Sequence, residues 1–380
     1  MSRAVGVRAA VAFALVLLEA AAFAWLGPLD RRVQDWLLVL HAQGRAPDAD
    51  IVLLNIDERS IAAMSPDFGP YEWPRSVYAE FIEKLNRQQP AAIVFDQIFA
   101  EPQREHPDQD AYFIEALGAA PDTYTGMLRL DGVDDSQGLP LAGSERLGFE
   151  RTAAADPAAR LPLLLPLQRI AENGRIGLIN FLPDEDGVGR RYWAQLEHRG
   201  WRVPSLPLRV ARGLGWALPA GADVEINWRG APKSRPAVSF SDVFLDLERQ
   251  HPQRPPDEFR GKVVIVGATA AGLNDLHATP LSPQQTGPEI LAAALETMRH
   301  GDALRRPPSW LGLLFGLLPL ALLGMAYLRG AGPLPLGLFL GLFSPISLLL
   351  AYAALQQGWL VRVAAPLASL WLAYLVLALW

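Results

Sequence analysis

The chain has 380 residues, of which 51% are apolar and only 19% are charged, a balance that is unusual for a wholly soluble protein. It contains no cysteine, which excludes disulfides, thiolate catalysis and cysteine-ligated metals. The formal net charge of -6 gives no indication of a surface for nucleic acid.

The apolar residues concentrate at the two ends of the chain. At the N-terminus, Ala9–Leu29 is almost uninterrupted apolar sequence, long enough to span a bilayer core of about 30 Å. Three further apolar segments follow near the C-terminus, which are Trp310–Leu328, Leu334–Leu355 and Trp359–Trp380. An acid within a span is costly unless it faces other helices. We therefore expect Glu19 to face the C-terminal spans or a second subunit.

These segments predict a multi-pass membrane protein with a globular part between its spans. The predicted limits are an N-terminal anchor over residues 1–29, a domain over residues 30–308 and three spans over residues 309–380. Four spans leave both termini on one side, and we expect them in the cytoplasm with the large domain outside. A signal peptide cleaved near residue 22 is the alternative for the first segment, and it also leaves the domain outside.

The first globular unit is predicted to be a strand, a loop, a helix and a second strand. Ile51–Ile56 is short, apolar and β-rich, apolar residues recur at helical spacing over residues 77–85, and Ala91–Phe95 is again continuously apolar. An aspartate follows each strand directly, Asp57 and Asp96. A right-handed crossover lays the strands parallel and brings both aspartates to the same edge of one sheet. Open α/β sheets usually bind ligands at that edge.

Trp73 and Arg75 precede the predicted helix and are expected to lie over the same edge. We therefore predict Asp57, Trp73, Arg75 and Asp96 as candidate ligand contacts. The alternative is structural, because an acid after a strand often caps the next helix or pairs with a nearby arginine such as Arg75. Both interpretations stay open at this point.

A charged turn lies between two further predicted strands, at residues 176–182 and 192–197. Its acids and arginines are predicted to pair with each other and to stabilise a hairpin or corner. The residues concerned are Asp184, Asp186, Arg190 and Arg191. The Asp-x-Asp-Gly piece resembles the start of a calcium loop, but the downstream acidic ligands are missing. We therefore predict no metal site here.

The last globular unit repeats the order of the first. Lys262–Val266 reads as a buried strand, and small residues follow over residues 267–272. A helix then begins at Gly287-Pro288, runs through Met298 and is closed by Gly301. A loop of small residues can approach an anion closely, or it can be a simple tight turn. The candidate ligand contacts in this unit are Thr269, Asn274 and Asp275.

The sequence contains no complete catalytic constellation. Two carboxylates at a sheet edge could hold Mg²⁺ for phosphoryl chemistry. However, no nucleophile and base complete such a site, and the six histidines show no ligand spacing. We expect no enzyme activity, no cofactor and no bound metal.

An ordered set of segments resembles the CHASE2 family across residues 30–305. The segments include LDRRVQDWLL, IVLLNIDERSI, WPRSVYAEFIEKL, AAIVFDQIF, IGLINFLPDEDGVGRR and FRGKVVIVGATAAGLNDLHATPL. The family's terminal Gly-Val-Glu-Ile-His-Ala has Leu291 here in place of histidine. Together with the residue patterns, the resemblance predicts an α/β extracytoplasmic domain with a mixed, largely parallel sheet. This domain is expected to be joined to an α-helical membrane region of one N-terminal and three C-terminal spans.

The resemblance implies a sensory module of a bacterial receptor, held in the inner membrane with its domain in the periplasm. In the family an output module such as a cyclase or kinase usually follows, whereas this chain stops at Trp380. We expect either a truncated receptor or a stand-alone sensor that acts through a partner. The expected partners are the membrane and a second copy or a signalling protein, and the ligand is unknown. A structural or docking subunit of a membrane assembly is the alternative function.

Overall fold

A computed structural model describes residues 25–181, 183–219, 221–273 and 276–378. Contacts divide the chain into two units, Met1–Gly44 with Leu304–Trp380, and Arg45–Ala303. Residues 9–24 of the predicted N-terminal span, including Glu19, lie outside the described residues, and so do the candidate contacts Asn274 and Asp275. The predicted domain limits at residues 29 and 308 stay predictions.

The larger unit contains both helices and strands, and the smaller unit is mainly helical. The helices are α1 (Gly27–Gln43), α2 (Glu58–Phe68), α3 (Arg75–Asn86), α4 (Pro107–Ala119), α5 (Gln168–Ala171), α6 (Leu206–Gly213), α7 (Phe240–Leu247), α8 (Gly287–His300), α9 (Ser309–Leu328), α10 (Pro333–Gln356) and α11 (Ala364–Ala378). The strands are β1 (Ile51–Ile56), β2 (Ala92–Asp96), β3 (Thr123–Arg129), β4 (Leu139–Pro140), β5 (Glu150–Arg151), β6 (Arg160–Leu161), β7 (Leu163–Leu164), β8 (Ile176–Leu178), β9 (Arg191–Trp193), β10 (Gln195–His198), β11 (Trp201–Pro204), β12 (Asp223–Glu225), β13 (Ala237–Ser239), β14 (Val263–Ala268), β15 (Leu276–His277) and β16 (Gln285–Thr286).

The larger unit is built on a mixed, largely parallel sheet, which confirms the predicted fold class for this part of the chain. The strand order is β13-β1-β14-β2-β3-β7, and β8 also pairs with β3. All these pairings are parallel except that of β3 with β7. β14 is the last strand of this sheet in the sequence. It nevertheless lies between β1 and β2, the two strands that were predicted to form the first globular unit.

Helices cover both faces of this sheet, and therefore β1, β2 and β14 are apolar on both sides. On one face, residues of α3, α4, α7 and β2 form a core rich in aromatic side chains, including Tyr78, Phe95, Phe113 and Phe240. On the other face α8 packs against β1 and β14. Gly267 permits this approach, because a Cβ atom there would lie 2.4 Å from Cγ of Pro288.

The segment after β1 is a helix, α2, and not the predicted loop. Its apolar pattern is weak, since only Ser60 and Met64 are buried and Pro66 lies inside it. The helix begins because Asp57 caps it, with its carboxylate accepting a hydrogen bond from the backbone N–H of Ser60 at 2.8 Å. The helix α7 begins at Phe240, with Ser239 as its N-cap residue.

Two helices of the smaller unit, α9 and α10, are long and apolar enough to cross a membrane. They correspond to the first two predicted C-terminal spans. The third prediction is too long, because α11 covers only Ala364–Ala378 among the described residues. The chain ahead of it is extended, and Leu360 donates its backbone N–H to the carbonyl oxygen of Arg305 at 2.8 Å.

Candidate functional site

Asp57 and Asp96 lie at the same edge of the central sheet, as the parallel strands predict. They are not on neighbouring strands, because Gly267 of β14 pairs with Asn55 on one side and with Asp96 on the other. Two strand spacings put the backbone of Asn55 about 10 Å from that of Asp96, and Asp57 lies two residues further along the chain. The two aspartates are therefore further apart than on neighbouring strands, and small residues of β14 lie between their strands.

Asp57 links three elements at this edge. Its Oδ1 accepts hydrogen bonds from the backbone N–H of Ser60 at 2.8 Å and from Oγ of Ser239 at 2.7 Å. Burial raises the pKa of Asp57, but the hydrogen bonds from Ser239 and Ser60 outweigh burial and keep that pKa below its ordinary value. The ionised carboxylate thus fastens α2 to the junction of β13 and α7.

A cleft of about 450 Å³ opens beside Asp57. This volume falls within the range of small-molecule sites. Leu53 and Asn55 of β1 line the cleft together with Ala237 of β13, and the loop after β14 contributes Thr269. The charged residues that line it are Asp57, Glu58, Lys233, Arg235 and Glu289.

The predicted contacts divide between this cleft and other places. Asp57 and Thr269 line the cleft, whereas Asp96 shares the sheet edge without being among the lining residues. Trp73 is only 1% exposed and stacks on Phe240 with 5.5 Å between ring centroids. The structure therefore places Trp73 in the aromatic core on the opposite face of the sheet.

Arg75 is also buried and lies outside the cleft. Its Nη2 donates to the backbone oxygen of Glu101 at 3.2 Å, and its guanidinium lies over the ring of Phe99 at 4.7 Å. Its acidic neighbour is Asp110, at 3.8 Å, and not one of the two strand-end aspartates. Arg75 is the first residue of α3, and Asp110 lies in α4. The contact between them therefore holds α3 to α4.

Several lining residues were not predicted from the sequence, among them Asn55, Lys233, Arg235 and Glu289. Asn55 gives one signal, since it is the polar residue in the otherwise apolar strand IVLLNI. The others come from a loop, the approach to β13 and the first turn of α8. Their convergence depends on long-range strand pairing, which a local pattern does not reveal.

The four charged residues of the predicted turn contact one another. Arg190 donates to Asp184 and Asp186, each at 2.9 Å, and Arg191 contacts Asp184 at 2.8 Å. The turn is a corner and not a hairpin, because β8 pairs with β3 while β9 pairs with β12. In the part of the chain that the structure describes, no group of three or more acids and histidines could hold a metal ion.

We expect Asp184→Asn to destabilise the protein in a pH-dependent manner. Burial raises the pKa of Asp184, but hydrogen bonds from Arg191 and Arg190 outweigh it and lower that pKa below its ordinary value of 3.8. The stabilisation is therefore fully present above pH 3.8 and is lost as the pH falls through the folded-state pKa. Loss of a charged hydrogen bond costs about 1.5–3 kcal/mol near neutral pH.

The measurement is the melting temperature of the full chain in detergent micelles at several pH values. The difference between the parent protein and Asp184→Asn should be largest near neutral pH and shrink in acid. Glu185→Gln, at an exposed position of the same turn, is the matched control and should change little. A difference that stays constant into acid would contradict the role of the carboxylate charge.

Most of the chain matches a known family of domains. A family model for the CHASE2 domain matches residues 9–327. No curated protein and no solved structure gives a significant match. Leu291, which replaces a histidine of the family pattern, is buried in α8 and does not line the cleft. The match includes the α/β sheet described above, and on that basis the chain belongs to the CHASE2 domain family, a family of extracytoplasmic sensory domains.

Proposed function

We propose that this chain is the sensory module of a bacterial transmembrane receptor in the inner membrane. In this proposal the larger unit lies in the periplasm and the apolar helices cross the membrane. A stimulus acts at the cleft beside Asp57 and changes the packing of the membrane helices. The chain performs no catalysis of its own, and its signal passes to an output module or to a signalling partner, with a second copy of the chain as one such partner.

The observation that carries this proposal is the apolar outer surface of α9 and α10. Leu318 is 67% exposed and Leu342 is 66% exposed, and further leucines along both helices are similarly uncovered. Soluble proteins rarely expose continuous apolar surfaces of this extent, whereas lipid covers them without cost. Together with membership in a family of extracytoplasmic sensory domains, this surface supports a membrane receptor.

A ligand of such a sensor acts only through a difference in affinity between two states. The cleft is suited to such a difference in affinity, because movement of the elements that line it would change its shape. Its lining comes from β1, β13, α2, α8 and the loop after β14. Binding there bridges elements that lie far apart in the sequence. A shift of α8 relative to the sheet is the movement that we expect ligand binding to produce.

The membrane orientation is tested by cysteine labelling, for which the absence of native cysteine gives a clean background. Ser136→Cys places a thiol on the exposed surface of the larger unit, and Gly332→Cys places one in the turn between α9 and α10. The Gly332 site has room for a side chain, because a Cβ atom there would meet no atom beyond its chain neighbours within 4 Å. We expect a membrane-impermeant maleimide to label Ser136→Cys in intact cells and Gly332→Cys only after permeabilisation.

The parent chain, which has no thiol, controls for background in the same cells. Labelling of Ser136→Cys only after permeabilisation would place the larger unit in the cytoplasm and contradict the proposed function. Labelling of both positions in intact cells would contradict the crossing of the membrane by α9.

A further inference from the structure

The charges that line the cleft differ between its two ends. Glu289 lies in the first turn of α8, near Gly267 at the carboxyl edge of the sheet. Glu296, to which Arg235 is bound, follows seven residues later, about 10 Å along the helix axis. Asp57 and Glu58 lie at the acidic end with Glu289, whereas Arg235 lies at the other end.

The strand register gives the same separation independently. Asn55 pairs with Ser239, and Arg235 precedes Ser239 by four residues, which is about 13 Å along an extended chain. Lys233 lies two residues further back and also lines the cleft. The cleft therefore has an acidic end at the carboxyl edge and a basic end near the start of β13.

Arg235 has hydrogen-bonding capacity that the protein leaves unused. The residue is only 8% exposed, and its Nη2 donates to Glu296 at 2.5 Å, but its buried Nη1 has no hydrogen-bond partner. A buried donor without a partner costs about 1–3 kcal/mol, and more when it belongs to a charged group. This arginine is thus equipped to bind an anionic group that enters the cleft.

Asn55 lies toward the acidic end of the cleft and, like Arg235, has an unused hydrogen-bonding atom. Its Oδ1 is buried and also lacks a hydrogen-bond partner. The carboxylates of Asp57, Glu58 and Glu289 accept hydrogen bonds from backbone or hydroxyl groups, and each carboxylate has lone pairs for further donors. The acidic end is thus suited to a group that donates several hydrogen bonds and carries positive charge.

We propose that the cleft binds a small zwitterion, a molecule with a carboxylate at one end and a protonated amine at the other. The carboxylate binds Arg235 and Lys233, and the amine binds Asn55 and the acids beside it. The ligand class deepens the proposed sensory function and rests on it, since such a molecule would be the stimulus, but its binding can be measured without any signalling.

Other charge types fit the lining less well. The three acids repel a ligand that carries only negative charge, and such a ligand leaves Asn55 without a donor. A diamine leaves the Nη1 group of Arg235 without an acceptor and places a positive charge beside it. An uncharged ligand gives neither end of the cleft a charged partner. Of these charge types, only a zwitterion matches both ends.

The experiment is a thermal-shift titration of the full chain in detergent micelles. The probes are glycine, 4-aminobutanoate and 6-aminohexanoate, which vary the distance between the two charges, with pentanoate and pentylamine as compounds that carry one charge each. We expect at least one zwitterion to raise the melting temperature by roughly 5 °C at about 100 times its Kd. Absence of a shift with all three zwitterions, or an equal shift with a singly charged compound, would overturn the proposal.

Two variants identify the site. Lys233→Asn removes the charge while keeping a residue that tolerates the positive φ of 62° at this position, and Asn55→Ala removes the unpartnered oxygen. Each should weaken zwitterion binding about tenfold, whereas Lys262→Asn, outside the cleft, should not. Unchanged affinity in both variants would place the ligand elsewhere and overturn the assignment. Arg235→Met is less decisive, because it also leaves Glu296 without its closest charge partner.

The outcome is separable from the test of the sensory function. If the zwitterions do not bind while Ser136→Cys is still labelled from outside, only the ligand class is wrong. If the zwitterions bind but the label reaches Ser136→Cys only from inside, the ligand class stands and the receptor orientation is wrong.

Discussion

Replacing Glu296 with alanine is expected to lower the free energy of unfolding of the larger unit by about 3–5 kcal/mol. Glu296 is 0% exposed and accepts hydrogen bonds from Arg235 and from the backbone N–H of Asp48, both at 2.5 Å. A second guanidinium, that of Arg229, lies 3.9 Å away. The substitution therefore leaves buried positive charge without its counter-ion, which is the costly way to break a buried ion pair.

The melting temperature of the full chain in micelles measures this effect, and a fall of roughly 6–20 °C corresponds to the expected energy. Glu296→Gln keeps hydrogen-bonding capacity without charge and should fall between the parent protein and Glu296→Ala. Glu115→Ala, at an exposed position of α4, is the matched control. If Glu296→Ala and Glu115→Ala have the same melting temperature, the buried ion pair of Glu296 contributes no net stability.

The second large effect is expected in the smaller unit, at Asp30 of α1. This buried carboxylate accepts hydrogen bonds from the backbone N–H groups of Ala364 and Ala365 at 2.8 and 3.0 Å, and from Nε of Arg362 at 2.8 Å. Asp30 thus caps the first turn of α11 from another helix and neutralises a neighbouring arginine. We expect Asp30→Ala to cost about 3–5 kcal/mol, because three donors lose their acceptor together.

The double-mutant cycle of Asp30→Ala with Arg362→Ala separates capping from charge pairing. If pairing dominates, the double variant should be little less stable than Asp30→Ala alone. Arg32→Ala, at an exposed position of the same helix, is the control for substitution in α1. A melting temperature of Asp30→Ala equal to that of Arg32→Ala would show that the link between α1 and α11 is not needed for stability.

Glu296 lies in the larger unit and Asp30 lies in the smaller unit. Glu296 holds the basic end of the cleft by orienting Arg235, and Asp30 joins the helix that precedes the larger unit to the last described helix. A sensor needs elements that ligand binding can shift between two states. We therefore expect variants at Glu296 to alter zwitterion affinity and variants at Asp30 to leave it unchanged, which a titration of each variant would measure.

Several strands and helices follow from local sequence patterns. The apolar run Ile51–Ile56 is a strand with those same ends, and the helix that ends before Gly301 has the predicted glycine in a left-handed conformation. Such elements are predictable because periodicity and end signals act over a few residues. One exception is α2, whose apolar pattern is weak and whose start depends on the capping contact of Asp57.

The positions of the candidate site residues depend on contacts that no local pattern contains. Trp73 precedes α3 and Arg75 is its first residue, but the packing of aromatic side chains turns both into the core. Arg235 has no signal in its own segment and reaches the cleft because β13 pairs with β1.

By itself, the sequence determined that this protein has apolar helices beside an α/β unit, that its strands run largely parallel, and that acids follow two of those strands. These properties depend on composition and on periodicity within one element. Only the tertiary structure decided that β14 separates Asp57 from Asp96, that Asp57 accepts a hydrogen bond from Ser239, and that Asn55 and Arg235 line one cleft. Those relations are set by strand order and by burial, which join residues about 180 to 210 positions apart through pairing energies that no short stretch of sequence expresses.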